Sequence, residues 1–256
     1  SFYGIYYTQT LYLTGFYNKN WNAGCSSVAA ASIVSASTAV AYTTPFLGAV
    51  LADVVLGDYQ SILVGSIGLY LPGMVLVALT TVPYLLGPTF SRGLLSMAVL
   101  ILWPMGTGIV KSVVNVFGAK QFHPILQSQA IERYYVNFYM VINIGALVGI
   151  TAIPILAQYN VTMAYMVPVG LLTLGILVFV AGTPRYVKHE PRGDLCRGMV
   201  GKGSGNGSSI SLFTIFRIAL LIVPFCIAYS QMPTTFIVQG TVMRKAFGVV
   251  DAATMN

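Results

Sequence analysis

Charge is what this sequence has least of. Six acidic and 13 basic residues make up 7% of its 256 positions, while 56% are hydrophobic. A water-soluble domain carries about 25% charged residues, so this composition excludes one with an ordinary water-facing surface. Cysteine is scarce as well. Cys25, Cys196 and Cys226 lie far apart, which excludes a disulfide framework and a metal site of closely spaced thiolates. The two histidines, His123 and His189, fall in polar stretches and form no ligand set. No phosphate-binding glycine loop and no dinucleotide fingerprint occurs, so neither an enzyme nor a bound cofactor is expected. The opening SFYGIYY has no basic start and no cleavage signature, unlike a signal peptide.

What fills the chain instead is apolar sequence in continuous runs, not the ~10-residue alternating segments of a membrane barrel. A helix needs ~20 apolar residues to cross ~30 Å of hydrocarbon. Seven runs read as helices: residues 2–16, 27–52, 61–85, 93–116, 135–157, 163–182 and 212–238. The first is short for a span. Pro72 and Pro104 fall inside the third and fourth, where neighbouring helices must satisfy the carbonyls that a proline frees. The expected fold is an all-α integral membrane protein with the lipid bilayer as its principal partner.

The formal charge of +7 points to the membrane, not to nucleic acid, because the inner loops of helical membrane proteins are rich in Lys and Arg. The longest polar segment, residues 183–209, carries Arg185, Lys188, Arg192, Arg197 and Lys202 and ends rich in Gly and Ser. It is assigned to the cytoplasm. Counting back places the start of the first run, Lys120 and Arg133 on the same side, and Lys19 and Arg92 outside. Arg244 and Lys245 also fall outside. Three segments follow: a six-helix bundle over 1–182, a basic Gly/Ser-rich loop over 183–211, and a seventh helix opening a second bundle over 212–256. The sequon Asn160-Val161-Thr162 lies in an outer loop and is a candidate for glycosylation.

Polar residues inside a bilayer are costly and usually face a cavity or a partner. Lys111, in GTGIVKSVVNVFGAKQF (106–122), comes first. Its position ~27 Å along the fourth run, at ~1.5 Å per residue, permits two readings. Its ammonium either snorkels to the inner headgroups or faces a central cavity. Asp53 ends the second run. With Gly57 it suggests a tight turn that bonds a neighbouring helix end and gates movement; the plainer reading is a solvated loop acid. Asn143, in the fifth run, either glues two helices or holds a polar group of a substrate. Tyr42 lies mid-helix among small residues, where its hydroxyl needs a partner. Gln231 and Gln239 lie in the seventh run. Tyr3 belongs to a group of tyrosines near helix ends, where such rings are usually interface anchors.

These stretches, in order, resemble the proton-dependent oligopeptide transporter family of the major facilitator superfamily. SFYGIYY resembles the end of the first-helix motif ExxERFxYYG. GAVLADVVLGDYQSI resembles the motif between helices 2 and 3, with Asp53 and Gly57 matching. GTGIVKSVVNVFGAKQF resembles GxGGIKPNVxxFGADQF, with Gly106, Gly108, Lys111, Gly118 and Gln121 matching. NFYMVINIGAL resembles FYxxINxGSL, and AYSQMPTTFIVQG resembles YDQ…T…Q. The resemblance implies a major facilitator fold, here an N-terminal six-helix bundle plus helix 7, with the other bundle in the same parent chain. It implies proton-coupled uptake of di- and tripeptides, the proton being the coupling ion. The alternatives are a carrier of nitrate or another small anion and a non-transporting fragment. A seven-helix receptor is disfavoured, because the basic 183–209 loop places the first residue inside. By the same resemblance Tyr3, Tyr42, Lys111, Asn143 and Gln231 line the substrate site, Asp53 and Gly57 serve gating, and the expected location is the plasma membrane or an endomembrane such as the vacuole's. The departures are specific. The motif's glutamates match positions before Ser1. Asp58 stands where a basic residue is usual, Ser112 for Pro, Val113 for Asn, Lys120 for the Asp of FGADQF, and Ser230 for the Asp of YDQ.

Overall fold

The computed structural model describes residues 2–191, 217, 220, 221, 224 and 232–240. Among the described residues there is helix and turn but no strand. The order is α1 (Phe2–Leu13), α2 (Ser27–Val55), α3 (Asp58–Thr80), α4 (Arg92–Ala119), α5 (Ser128–Tyr159) and α6 (Val161–Ala181). A π-helical stretch at Met232–Phe236 and a short helix at Ile237–Gly240 follow and lie against α1 and α2. The rest of the seventh run, Gln231 included, lies outside the described residues. Helices α2 to α6 are each long and apolar enough to cross a membrane.

The helices do not keep to the bounds of the apolar runs. α4 continues three residues past Val116 to Ala119, and α5 begins at Ser128, taking in Glu132 and Arg133. Charges end an apolar run, but they do not end a helix whose next hydrogen bond costs little once a turn exists. The third helix starts at Asp58, not at residue 61, because the break is made by Gly57. That residue has φ +79° and stands at the N-cap, a backbone region in which glycine meets no Cβ penalty. α1 ends at Leu13, and Gly15 follows with φ +77°.

Pro72 and Pro104 are absorbed the same way. A π-helical stretch, Val64–Tyr70, precedes Pro72, and another, Ala98–Leu102, precedes Pro104. Wider i→i+5 bonding makes room for a ring that would otherwise strike the carbonyl four residues back. In that pattern the carbonyl Pro104 fails to reach is that of Val99. The Ser37 hydroxyl of α2 donates to Val99 O at 2.7 Å. A neighbouring helix therefore satisfies the carbonyl that the proline leaves over, as a membrane interior requires.

Glycines set how closely the helices approach. A Cβ on Gly106 would fall on the backbone of Tyr70 in α3, and one on Gly108 would meet Thr44 and Ala41 of α2. Two residues on a helix lie ~200° apart, so GTG presents one glycine to each neighbour. Gly73 answers from α3 against the backbone of Trp103. The core between α1, α3, α4 and α6 is closed by Leu11, Leu13, Met74, Val99, Trp103 and Tyr165.

The two ends of the bundle are held by different groups. At one end Trp21 Nε1 donates to Thr80 O at 3.0 Å, and Tyr12 and Thr80 hydroxyls lie 3.0 Å apart. Thr162 Oγ1 donates to Thr81 O at 3.3 Å. The sequon is part of this end. Asn160 Oδ1 accepts from the Met163 amide at 3.1 Å and caps α6, so the Asn and Thr of the triplet both make structural bonds and the stretch is not an open loop. At the other end lie the α2–α3 turn, the α4–α5 turn and the segment after α6.

Candidate functional site

One cleft is formed where α1, α2 and α4 meet. Its volume is about 240 Å³, and Tyr6, Thr38, Tyr42, Trp103, Lys111 and Ser112 are among its lining residues. Thr38, Ala41, Tyr42 and Pro45 recur at intervals of three and four, which puts them on one face of α2. Lys111 follows Pro104 by seven residues, two turns along the same face of α4.

The lysine side chain is turned toward α1. Its Nζ stands 5.4 Å from the centroid of the Tyr3 ring, a cation over an aromatic face. α4 spans 28 residues, ~42 Å at ~1.5 Å per residue. Lys111 is therefore ~12 Å short of the Ala119 end. If α4 is centred on ~30 Å of hydrocarbon, its Cα lies ~7 Å inside the boundary. The apolar run stops at Val116 while the helix continues to Ala119, so Lys111 lies farther from the helix end than from the end of the run. Around it the Tyr6 hydroxyl and Thr38 Oγ1 lie 3.1 Å apart, and Ser112 Oγ donates to Ile109 O at 2.9 Å. Tyr42 is 72% exposed and borders the cleft from α2.

Of the residues expected at a substrate site, Tyr3, Tyr42 and Lys111 are brought together. Asn143 is exposed on α5 and its Nδ2 donates to Tyr139 O at 2.9 Å within the same helix. It is not among the described lining of the cleft. Gln231 lies outside the described residues. Tyr6, Thr38 and Ser112 were not anticipated. The signal for Tyr6 was its spacing of three residues from Tyr3; for Ser112 it was the departure from proline beside Lys111.

Asp53 is exposed on the last π-helical turn of α2, Leu51–Val55. The acid that reaches a neighbouring helix end is Asp58, buried, with Oδ2 2.7 Å from Lys120 Nζ at the end of α4. Asp53, Asp58, Lys120, His189 and Glu190 line a second cleft of about 250 Å³. Gly57 lies beneath it, with a Cβ there falling 3.1 Å from His189 O.

The comparisons with known proteins agree on one family. The POT family model, PTR2, matches residues 59–202. Rat solute carrier family 15 member 2 is 34% identical over 202 residues, 76% of this chain and 26% of the relative. Peptide transporter 3 of Caenorhabditis elegans is 35% identical over 162 residues, 60% of this chain and 22% of the relative. The chain thus spans about a quarter of the length of these curated relatives. Among solved structures, an auto-inhibited POT family peptide transporter superposes with TM-score 0.75 at 19% identity, covering 99% of this chain and 61% of the other. Another POT family transporter gives TM-score 0.73 at 21% identity, covering 99% and 65%. The fold is that of part of a multi-pass membrane transporter, and the chain belongs to the POT family.

Proposed function

We propose that this chain supplies part of the substrate pathway of a secondary active transporter, one that couples proton entry to uptake of di- and tripeptides by alternating access. The observation that carries the reading is the Lys111 ammonium in a membrane-length helix, lining a cleft with Tyr6 and Tyr42 and standing over the Tyr3 ring. A fixed cation inside a bilayer is a functional site by default, and here it is positioned to receive a carboxylate. The Tyr42 hydroxyl borders the same space and can donate a hydrogen bond to the carboxylate. The relatives named as peptide transporters support the peptide reading. A solute carrier with this site makes and breaks no covalent bond in its substrate. The plasma membrane is the compartment that uptake would require.

A small inorganic anion such as nitrate is the second reading. It is favoured by the cleft's described lining, which offers a cation and hydroxyls but no carboxylate to receive a peptide's amino group. Vesicles from cells with and without the full-length gene decide between them. Labelled dipeptide uptake that rises on external acidification and depends on the gene is the expected result. Gene-dependent nitrate uptake without dipeptide uptake would replace the peptide reading. Neither flux, with the protein present in the vesicles, would overturn both.

Tyr42→Phe tests the hydroxyl alone. A hydrogen bond to a charged group contributes about 1.5–3 kcal/mol, so half-saturation of uptake should rise at least tenfold, ~1.4 kcal/mol. An unchanged value would leave Tyr42 a packing residue.

A further inference from the structure

After α6 the chain does not leave the bundle. It makes a 3-10 turn at Thr183–Arg185 and crosses the ends of α3 and α4. The Val187 amide donates to Gln121 Oε1 at 2.9 Å, and Gln121 Nε2 donates back to Val187 O at 3.2 Å. One side chain thus satisfies both backbone groups of one residue. The Tyr59 and Thr183 hydroxyls are 2.6 Å apart, and Lys188 Nζ sits 4.4 Å from the centre of the Tyr59 ring. Tyr186 joins Tyr59, Phe117 and Phe179 in one aromatic cluster. His189 and Pro191 rest on Gly57, where no side chain intervenes.

Beneath this crossing is the Asp58–Lys120 pair, with side chains 5% and 33% exposed. Its polarity has a physical reason. Asp58 is the first residue of α3, and Lys120 caps the end of α4. Unbonded amides make a helix start electropositive and unbonded carbonyls make its end electronegative. Each charge therefore sits at the terminus that favours it. The motifs this chain resembles carry the opposite signs, a basic residue after the glycine and Asp in FGADQF. In this chain the two departures meet in one ion pair, with both helix ends contributing.

We propose that residues 183–191 are a docked strap, keyed to a charge-reversed Asp58–Lys120 tie, that holds the ends of α2, α3, α4 and α6 as one unit until the strap lifts. The device does not depend on which solute is carried. Gly57 gives the strap its seat, Gln121 its backbone anchor, and the Asp58–Lys120 pair joins the helix ends under it.

Hydrogen–deuterium exchange of the full-length protein in detergent reads the strap directly. Gln121→Ala should speed exchange in the 186–191 peptide about tenfold, equivalent to ~1.4 kcal/mol of lost bonding, with α5 unchanged. Asp58→Lys and Lys120→Asp should each loosen the same peptide and that around Gly57. The double variant Asp58→Lys/Lys120→Asp should restore most of the protection. If a reversed single variant does not accumulate, Lys120→Gln replaces it, unpairing Asp58 without adding a like charge. Unchanged exchange at 186–191 in Gln121→Ala would overturn the strap. A double variant as loose as the singles, or loosening spread evenly over the whole protein, would overturn the keyed tie.

Discussion

Replacing Lys111 with alanine in the full-length protein should raise half-saturation for a dipeptide by at least 30-fold, since truncating one partner of a desolvated charge pair costs about 2–5 kcal/mol. The effect has two parts. The carboxylate loses its counter-charge, and it must still leave water to enter a cleft that is mostly apolar. Lys111→Met separates charge from bulk. Methionine keeps an unbranched chain of similar reach beside the Tyr3 ring, so it preserves packing while removing the cation. Both variants should fail alike if charge is what matters. Lys111→Arg keeps the charge but replaces a compact ammonium with a planar fork that needs more room, so it should retain part of the affinity. Initial-rate uptake across a range of dipeptide concentrations measures all three. Kinetics for Lys111→Ala that match the wild type would remove Lys111 from the substrate site.

The second large effect lies in the fold. Gly106→Ala adds one methyl group where a Cβ would strike the backbone nitrogen, Cα and Cβ of Tyr70. Backbone cannot swing aside as a side-chain tip can, so α3 and α4 must part along their length. Overfilling a close-packed site costs about 1–3 kcal/mol and sometimes more, and here the separation also opens the contact of Gly73 with Trp103. A lower melting temperature and reduced yield in detergent are the expected readouts. Gly68→Ala is the matched control. It also lies in a transmembrane helix, but nothing lies within 4 Å of its added Cβ, and alanine is the better helix former by up to ~1 kcal/mol. It should be neutral or stabilising. Equal melting temperatures for the two variants would mean that the α3–α4 crossing is looser than described.

Much of this architecture is legible in the residues. Apolar runs locate all six helices of the bundle because a bilayer leaves few alternatives to a helix. Their ends are less legible, since α4 and α5 run past the apolar windows by virtue of backbone bonding alone. Lys111 stands out by being charged where charge is costly, and Gly106 and Gly108 by a spacing that resembles the family's. Tyr42 is marked by a hydroxyl placed mid-helix among small residues; Tyr3 carries no such mark and is selected by the resemblance, and the fold brings both to Lys111. The Asp58–Lys120 pair was hidden for a different reason. Sixty-two positions separate the partners, and each on its own reads as a departure from a motif. Only their proximity turns two departures into one interaction. Gln121 shows the same limit: its match to the motif says nothing of the Val187 backbone it holds.

The contrast between the two ends of the bundle bears on how the surrounding solution acts on it. Trp21, Tyr12, Thr80 and Thr162 hold one end with neutral hydrogen bonds, to which dissolved ions are nearly indifferent. The opposite end relies partly on Asp58 and Lys120, and Lys120 is open enough to feel the ionic atmosphere, whose reach shortens from ~10 Å at 0.1 M to ~3 Å at 1 M. Electrolyte therefore acts unevenly on this protein. It leaves the hydroxyl-bonded end as it is and weakens the Coulomb attraction at the other, so the two faces of one membrane protein differ in salt sensitivity through side chains alone.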